Sequence, residues 1–481
     1  MSIANSLNSA LSGLAVNARR ADVASSNIAN ALTDGYGRRV LEVSSHSSGS
    51  YGSGVQIDGV RRISDPVILA DRRIADGAAA ANERRTETLA IVESAIGGPD
   101  SQDGLAARFM AVESALIAGT ADPASEIRLE RIVHAMSELT KGLNQASTVV
   151  QSERVRADAE IEDAVAVLNR SFERVRELND DIGKAVIARR DPSALIDERQ
   201  IVIDKIAEIV PVKEVARPHG RIALWSTGGM ELVDGRARKL NFDARATITP
   251  EMTMSSGGLS GISVAGELLG NGGIGRLTGG RLEALFELRD QSLVNHQKNL
   301  DDIAQDLLTR FSDQEVDPTL SAGEVGLFRD SRPLVPLRDP TGIAQRLMID
   351  PRLGSLDSAE IWRVRTGLNA SEAGEPGETR QLLRYLDSFS RPRSLGSGDQ
   401  ELTTFERIVL ASETASSEWY ISEEKTAFSS AKRDTLREAE IADGVNTDAE
   451  LQALITVEQA YAANARVLEV VEQMMRRVME I

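Results

Sequence analysis

The residues best suited to metal chemistry in this chain are its four histidines, His46, His134, His219 and His296, and their separations match no metal-ligand spacing. The chain has no cysteine, which excludes disulfides, iron–sulfur clusters, thiolate zinc sites and cysteine nucleophiles. Gly270, Gly272 and Gly275 satisfy G-x-G-x-x-G ahead of a predicted helix. In a dinucleotide fold such glycines let a pyrophosphate approach the helix N-terminus, but the motif needs a buried strand immediately before it. Gly266-Glu267-Leu268-Leu269 is poor strand material, and no alternating strand–helix pattern surrounds it, so the stretch reads as a flexible connection. No G-x-x-x-x-G-K-[ST], H-E-x-x-H, G-x-S-x-G or EF-hand loop occurs. His296 falls on the apolar face of a predicted helix, where a satisfied core histidine is expected rather than a base. None of the 73 acidic residues is singled out as a catalytic pair. The chain therefore reads as a non-enzyme, with no catalytic, cofactor-binding or metal residue.

The elements around these residues point to assembly instead. At 481 residues, two to four domains are expected. A net charge of −18 opposes nucleic-acid binding, which needs a basic surface to displace counterions. The N-terminus lacks the basic and apolar regions of a secretory signal, and no apolar run is long enough to span a membrane.

Both ends carry helical seams. Ile3, Leu7, Ala10, Leu14, Asn17, Ala21, Ala24 and Ile28 follow one another at alternating intervals of four and three, as at the a and d positions of a coiled coil. The seam is thin, because half its positions are Ala or Asn. Thr33-Asp34-Gly35 supplies a stop, with Gly35 expected at positive φ. At the other end, Asp448 to Ile481 contains neither Pro nor Gly, and Leu454, Tyr461, Ala465, Leu468, Val471, Met475 and Val478 mark an apolar face. Residues 1–40 hold four Arg and two Asp, while residues 441–481 hold three Arg and seven acids. Opposite charge and matching seams make the two helices candidate partners of each other, or two helices packed on separate domains.

Between them, 41–65 reads as a hairpin with a Ser/Gly-rich tip. A helical body follows. Asp122-Pro123 and Asp191-Pro192 look like helix starts, and Ile161, Val165, Leu168, Phe172, Val175, Asn179 and Ile182 give a long, exposed helix of the antiparallel-bundle type. Short extended runs separated by Thr227-Gly228-Gly229 and Asp234-Gly235 then suggest a small β domain over 211–275. Helix returns from Arg281, 313–400 is irregular, and 401–440 is helical. The expected fold is mainly α with a small inserted β domain, with long terminal coiled-coil-like helices and an elongated helical-bundle body. The expected domains are 1–35 with 445–481, 36–210 with 276–444, and 211–275.

Ser25-Ser26-Asn27-Ile28-Ala29-Asn30 with Thr33-Asp34-Gly35-Tyr36 resembles the N-terminal signature of the bacterial flagellar rod, hook and hook-associated proteins. Gly444-Val445-Asn446 through Glu450, Gln459-Ala460-Tyr461 and Ala463–Val467 resemble the matching C-terminal end. In the body, Asp65-Pro66, Leu195-Ile196-Asp197-Glu198-Arg199-Gln200 and the Gly-rich stretch before 281–311 resemble the members that form the hook–filament junction. Asp34 stands where many relatives carry Pro, and 313–400 is too short for the outer β domain of larger relatives.

The resemblance implies a structural subunit, exported through the flagellar type III channel without a cleaved signal peptide and placed outside the cell. It implies a ring of about eleven copies, contacts with the hook protein and with the second junction protein, and an export chaperone on residues 451–481. No nucleic acid, membrane insertion or cofactor is expected. The expected assembly residues are Ile3, Leu7, Leu14, Asn27, Ile28, Asn30, Gly35, Tyr36, Leu454, Tyr461, Leu468 and Met475. The alternative is a hook or rod subunit, which would have a mostly β body.

Overall fold

The computed structural model describes residues 3–33, 35–48, 51–270, 272–332, 340–353, 360–396, 400–442 and 444–479; Asp34, where relatives carry Pro, lies outside them. Helix α1 (Ile3–Ala29) leads into a hairpin of β1 (Arg39–Ser48) and β2 (Tyr51–Arg62). Then come α2 (Pro66–Ile96), α3 (Leu105–Ala121), α4 (Glu126–Ile187) and α5 (Ser193–Ile209). Strands β3 (Val212–Ala216), β4 (Ile222–Ser226), β5 (Glu231–Asp234) and β6 (Arg236–Ala237) form one antiparallel sheet in chain order. A minimal hairpin of β7 (Ser263–Val264) and β8 (Glu267–Leu268) follows. Helix α6 (Arg281–Glu287) continues through a π-turn at Leu288–Ser292 into α7 (Leu293–Phe311). The irregular stretch contains β9 (Phe328–Asp330), α8 (Ile343–Arg346), β10 (Leu347–Ile349), α9 (Arg363–Thr366) and α10 (Arg380–Ser390). Two long helices close the chain, α11 (Thr404–Ala442) and α12 (Thr447–Met479). The fold is mainly α with a small β insertion.

The 62-residue α4 is the spine. At about 1.5 Å per residue it is about 90 Å long. It is not an exposed helix. Ile161, Leu168, Phe172, Val175 and Ile182 are all fully buried, because α5, the sheet and α6 cover that face while α3 and α7 cover the other half of its length. Gly142 lets α3 come close: a Cβ there would lie 3.0 Å from Leu105 Cδ2. Asp122-Pro123 does not start α4. Asp122 instead ends α3, and the helix begins after Ser125. By contrast, Asp65 caps α2 by accepting from the N–H groups of Val67 and Ile68, and Asp191 accepts from Ser193 N–H at the start of α5.

Two apolar clusters line α4. One joins its first half to α3, α7, the start of α11 and the buried residues of 316–389. The other joins its second half to α5, the four-stranded sheet and α6. Ile222, Leu224, Leu232 and Val233 of the sheet lie in that second cluster, so the sheet shares a core with the helices. The 313–400 stretch is likewise packed into the first cluster rather than standing apart. Phe311 there meets Phe328, Tyr385 and Phe389 with ring centroids 4.9 to 5.3 Å apart.

Candidate functional site: the terminal helix pair and its joint

Helices α1 and α12 pack against each other within one chain. They run antiparallel: Gly13 faces Asn464, and Arg38, beyond the end of α1, pairs with Glu450 in the first turn of α12 at 2.7 Å. The seam is made of small and polar side chains. Ala10, Asn17 and Ala24 of the predicted seam are buried on α1, and Glu450 and Val471 are buried on α12. A Cβ on Gly13 would fall 2.7 Å from Asn464 Nδ2, so any larger residue there would have to push that side chain aside. Asn446 caps α12, its Oδ1 accepting from Asp448 and Ala449 N–H at 3.0 Å each.

Of the residues singled out from sequence, Ile3 begins α1. Leu7, Leu14, Ile28, Leu454 and Leu468 are half-buried along the pair. Tyr461 and Met475 remain 48% and 43% exposed, and Leu11, Leu451, Ile455, Val467, Val470 and Met474 are also open to solvent. α12 is therefore apolar on more than the face that α1 covers.

Asn27, Asn30, Gly35 and Tyr36 are gathered where the pair meets the body. The Asn27 side chain is fully buried. Its Nδ2 donates to the Arg39 carbonyl at 2.9 Å, and its Oδ1 accepts from Arg39 N–H at 3.0 Å and from the Tyr36 hydroxyl at 2.9 Å. One amide thus extends the β1 edge by one backbone-like partner. Asn30 Nδ2 donates to the Ser26 carbonyl at 2.9 Å, tying down the last turn of α1. Gly35 has φ of +74°, and a Cβ there would lie 2.5 Å from Ile201 Cγ1 of α5. Only glycine is unstrained at that angle.

The anchor on the body side is Asp197, 9% exposed in the first turns of α5. It accepts from Gly37 N–H at 3.2 Å, Arg62 Nε at 2.7 Å and Arg39 Nη2 at 2.9 Å. The Arg39 guanidinium also lies over the Tyr36 ring, 4.9 Å from its centroid. In the sequence Asp197 stands only within a family-like hexapeptide. Its partners lie 135 to 160 positions away, so no local spacing could reveal them.

A second charged joint holds the end of α11. Arg72, buried in α2, reaches Asp76 at 2.6 Å, Asp204 at 2.7 Å and Glu440 at 2.5 Å. Burial pushes the Asp76 and Glu440 carboxyls up against the pull of Arg72. The Arg72 guanidinium is held above its ordinary value because Asp204 and Glu440 outweigh its own burial.

His296 is 1% exposed, with Nε2 3.0 Å from Glu418 Oε2: a core histidine bridging α7 to α11. Gly270, Gly272 and Gly275 lie in the loop after β8, and α6 opens only at Arg281, behind Gly280. The glycines therefore do not open a helix. Among the described residues no group of three His, Asp or Glu is placed to hold a metal ion, and no helix is long and apolar enough to cross a membrane.

Comparison with known families matches this layout piece by piece. Residues 89–327 match the flagellar hook-associated protein FlgK helical domain. Residues 7–36 match the flagella basal body rod protein family, and residues 442–481 the flagellar basal body rod FlgEFG protein C-terminal family. The chain belongs to the flagellar hook-associated protein family. This is a family of structural flagellar components, not of enzymes. The flagellar hook-associated protein 1 of Salmonella typhimurium is 24% identical over 298 residues, 59% of this chain and 53% of that protein. That of Bacillus subtilis is 25% identical over 231 residues, 44% of this chain and 45% of the relative. That of Escherichia coli is 23% identical over 297 residues, with coverage of 59% and 53%. The chain thus aligns with about half the length of these relatives. The flagellar hook junction protein FlgK from Burkholderia pseudomallei superimposes with a TM-score of 0.45 at 20% identity, over 54% of this chain and 46% of that one. The helical body departs from the mostly β body expected of a hook or rod subunit.

Proposed function

We propose that the chain is a structural subunit of the junction between hook and filament, assembling with copies of itself through its terminal helices. The observation that carries this reading is the row of open apolar residues on α12, Leu451, Ile455, Val467, Val470 and Met474, beside a seam already filled by α1. Isolated apolar side chains on a surface are ordinary, but two open apolar patches on one helix, Leu451 with Ile455 and Val467 with Val470 and Met474, mark an interaction face. Because the pair forms within one chain, assembly completes its outer faces and not the helices themselves. In this reading 1–35 with 445–481 form the inner tube of a ring of about eleven copies. Residues 36–210 with 276–444 form the body, and 211–275 a small β unit on it. The partners are the hook protein on one side and the second junction protein on the other, with an export chaperone on 451–481 before assembly. The site of action is the flagellum outside the cell, reached through the flagellar export channel.

The test uses isolated hooks stripped of junction proteins, incubated with the purified full chain and viewed by electron microscopy. The chain is expected at one hook end. The double variant Leu451→Glu, Val470→Glu should lose that binding with unchanged far-UV circular dichroism. Binding along the hook sides, or none by the unmodified chain, would overturn the reading.

A further inference from the structure

The chain has ten methionines and no cysteine, so every sulfur atom it exposes is a thioether. The methionines are unevenly placed. Met136 is 1% exposed, and Met230, Met252, Met254 and Met348 are partly covered. Met474, Met475 and Met479 are 51%, 43% and 77% exposed and sit within one and a half turns near the end of α12. Met474 continues the open apolar row of Val467 and Val470 at intervals of three and four, and Met475 and Met479, one turn apart, lie on the adjoining face. Elsewhere only Met110, on α3, is comparably exposed among the described residues, at 48%.

We propose that Met474, Met475 and Met479 form an oxidation-sensitive site, at which peroxide converts the end of the α12 ridge from apolar to polar and blocks assembly. The co-reactant is a two-electron oxidant of the hydrogen peroxide class. The thioether sulfur attacks one peroxide oxygen, the O–O bond breaks and an S–O bond forms. The sulfur loses two electrons, the peroxide is reduced, and its second oxygen leaves as water after taking up the proton. A sulfoxide is polar and a strong hydrogen-bond acceptor, and it disrupts methionine-rich contacts; methionine sulfoxide reductases reverse it. The site follows from exposure alone. Its consequence for assembly rests on the proposed function.

The experiment treats the folded full chain with hydrogen peroxide and follows each methionine by peptide mass spectrometry. In parallel, hook-end binding is measured before and after treatment. Met474, Met475 and Met479 should gain one oxygen on the order of tenfold faster than Met136, with hook-end binding lost in step and restored by sulfoxide reductase. The variant Met474→Leu, Met475→Leu, Met479→Leu keeps the apolar ridge and should bind hooks before and after peroxide alike. Equal oxidation of Met136 and the α12 methionines would overturn the site. If peroxide abolished binding by the leucine variant as well, the block to assembly would be overturned. If the untreated chain does not bind hook ends, the proposed function fails, while the relative oxidation rates still decide the site.

Discussion

Asn27 and Asp197 divide the work of the joint by chemistry. An amide offers both a donor and an acceptor, so Asn27 can pair with both backbone groups of Arg39 and still accept from Tyr36. A carboxylate only accepts, so Asp197 collects two guanidinium groups and a backbone N–H. Removing one member of a buried ion group leaves the others uncompensated. Asp197→Ala is expected to weaken docking of the β1–β2 hairpin by about 3 kcal/mol, on the order of a hundredfold in local opening. Hydrogen exchange checks this: hairpin amides should speed up while those of α4 stay unchanged. A different buried acid gives a pH effect. Burial pushes the Asp301 carboxyl up to about 6 from 3.8, against the N–H groups of Ala344 and Gly342 and the Gln297 amide. The folded chain then holds this proton more tightly than the unfolded chain. The stabilisation is full below the unfolded value and is lost as pH rises through about 6. It is worth up to about 3 kcal/mol. Urea denaturation at about pH 4.5 and about pH 7.5 should show a larger fall in stability for the unmodified chain than for Asp301→Asn.

At the level of elements, a seam of Ala and Asn buries little area, so the larger apolar residues of α1 matter most to its packing. Leu14 is one of these, half-buried in the pair. Leu14→Asp places a charge in that contact. A fully buried leucine is worth about 2–5 kcal/mol, so losing this half-buried one costs less, about 1–2 kcal/mol, and desolvation of the new charge adds to it. The expected result is loss of hook-end binding and faster proteolysis of residues 3–33, with the thermal melt of the body unchanged. A shifted body melt would show that the terminal pair supports the core. What the sequence made legible at this scale is what local patterning controls. The apolar period of α4, the Asp191-Pro192 start of α5 and the Pro-free run of α12 are all set by neighbouring residues. The start of α4 was misread at Asp122-Pro123 because a proline after an acid marks the end of one helix as readily as the start of the next. The burial of α4 was hidden too, since its covering elements come from α3, α5, the sheet and α7, and a period alone does not say how many faces are covered. The joint was half legible: Asn27, Gly35 and Tyr36 stand in one short motif, whereas Asp197, Arg62 and Glu450 come to it only through the fold.

Across the whole molecule, stability is unevenly distributed. Among the described residues both apolar clusters follow α4, and neither contains a residue of α1 or α12. The terminal pair is held to the body by polar contacts instead: Asp197 with Arg39 and Arg62, and Asn27 with the backbone of Arg39. Charge-assisted contacts of this kind fix geometry, yet contribute less to global cooperativity than a shared apolar core. In the role proposed above, ends that open without dismantling the body suit both export and insertion between neighbours. Unfolding should therefore occur in two steps. In a urea titration followed by hydrogen exchange and mass spectrometry, peptides from 3–33 and 447–479 should lose protection at lower denaturant than peptides from α4 and α7, as a separate cooperative unit. The gap between the two midpoints should narrow at low ionic strength, where the Asp197 and Glu450 ion pairs are screened least. One transition shared by all peptides would mean that the joint transmits the full stability of the core, and the terminal pair would then be part of a single folding unit.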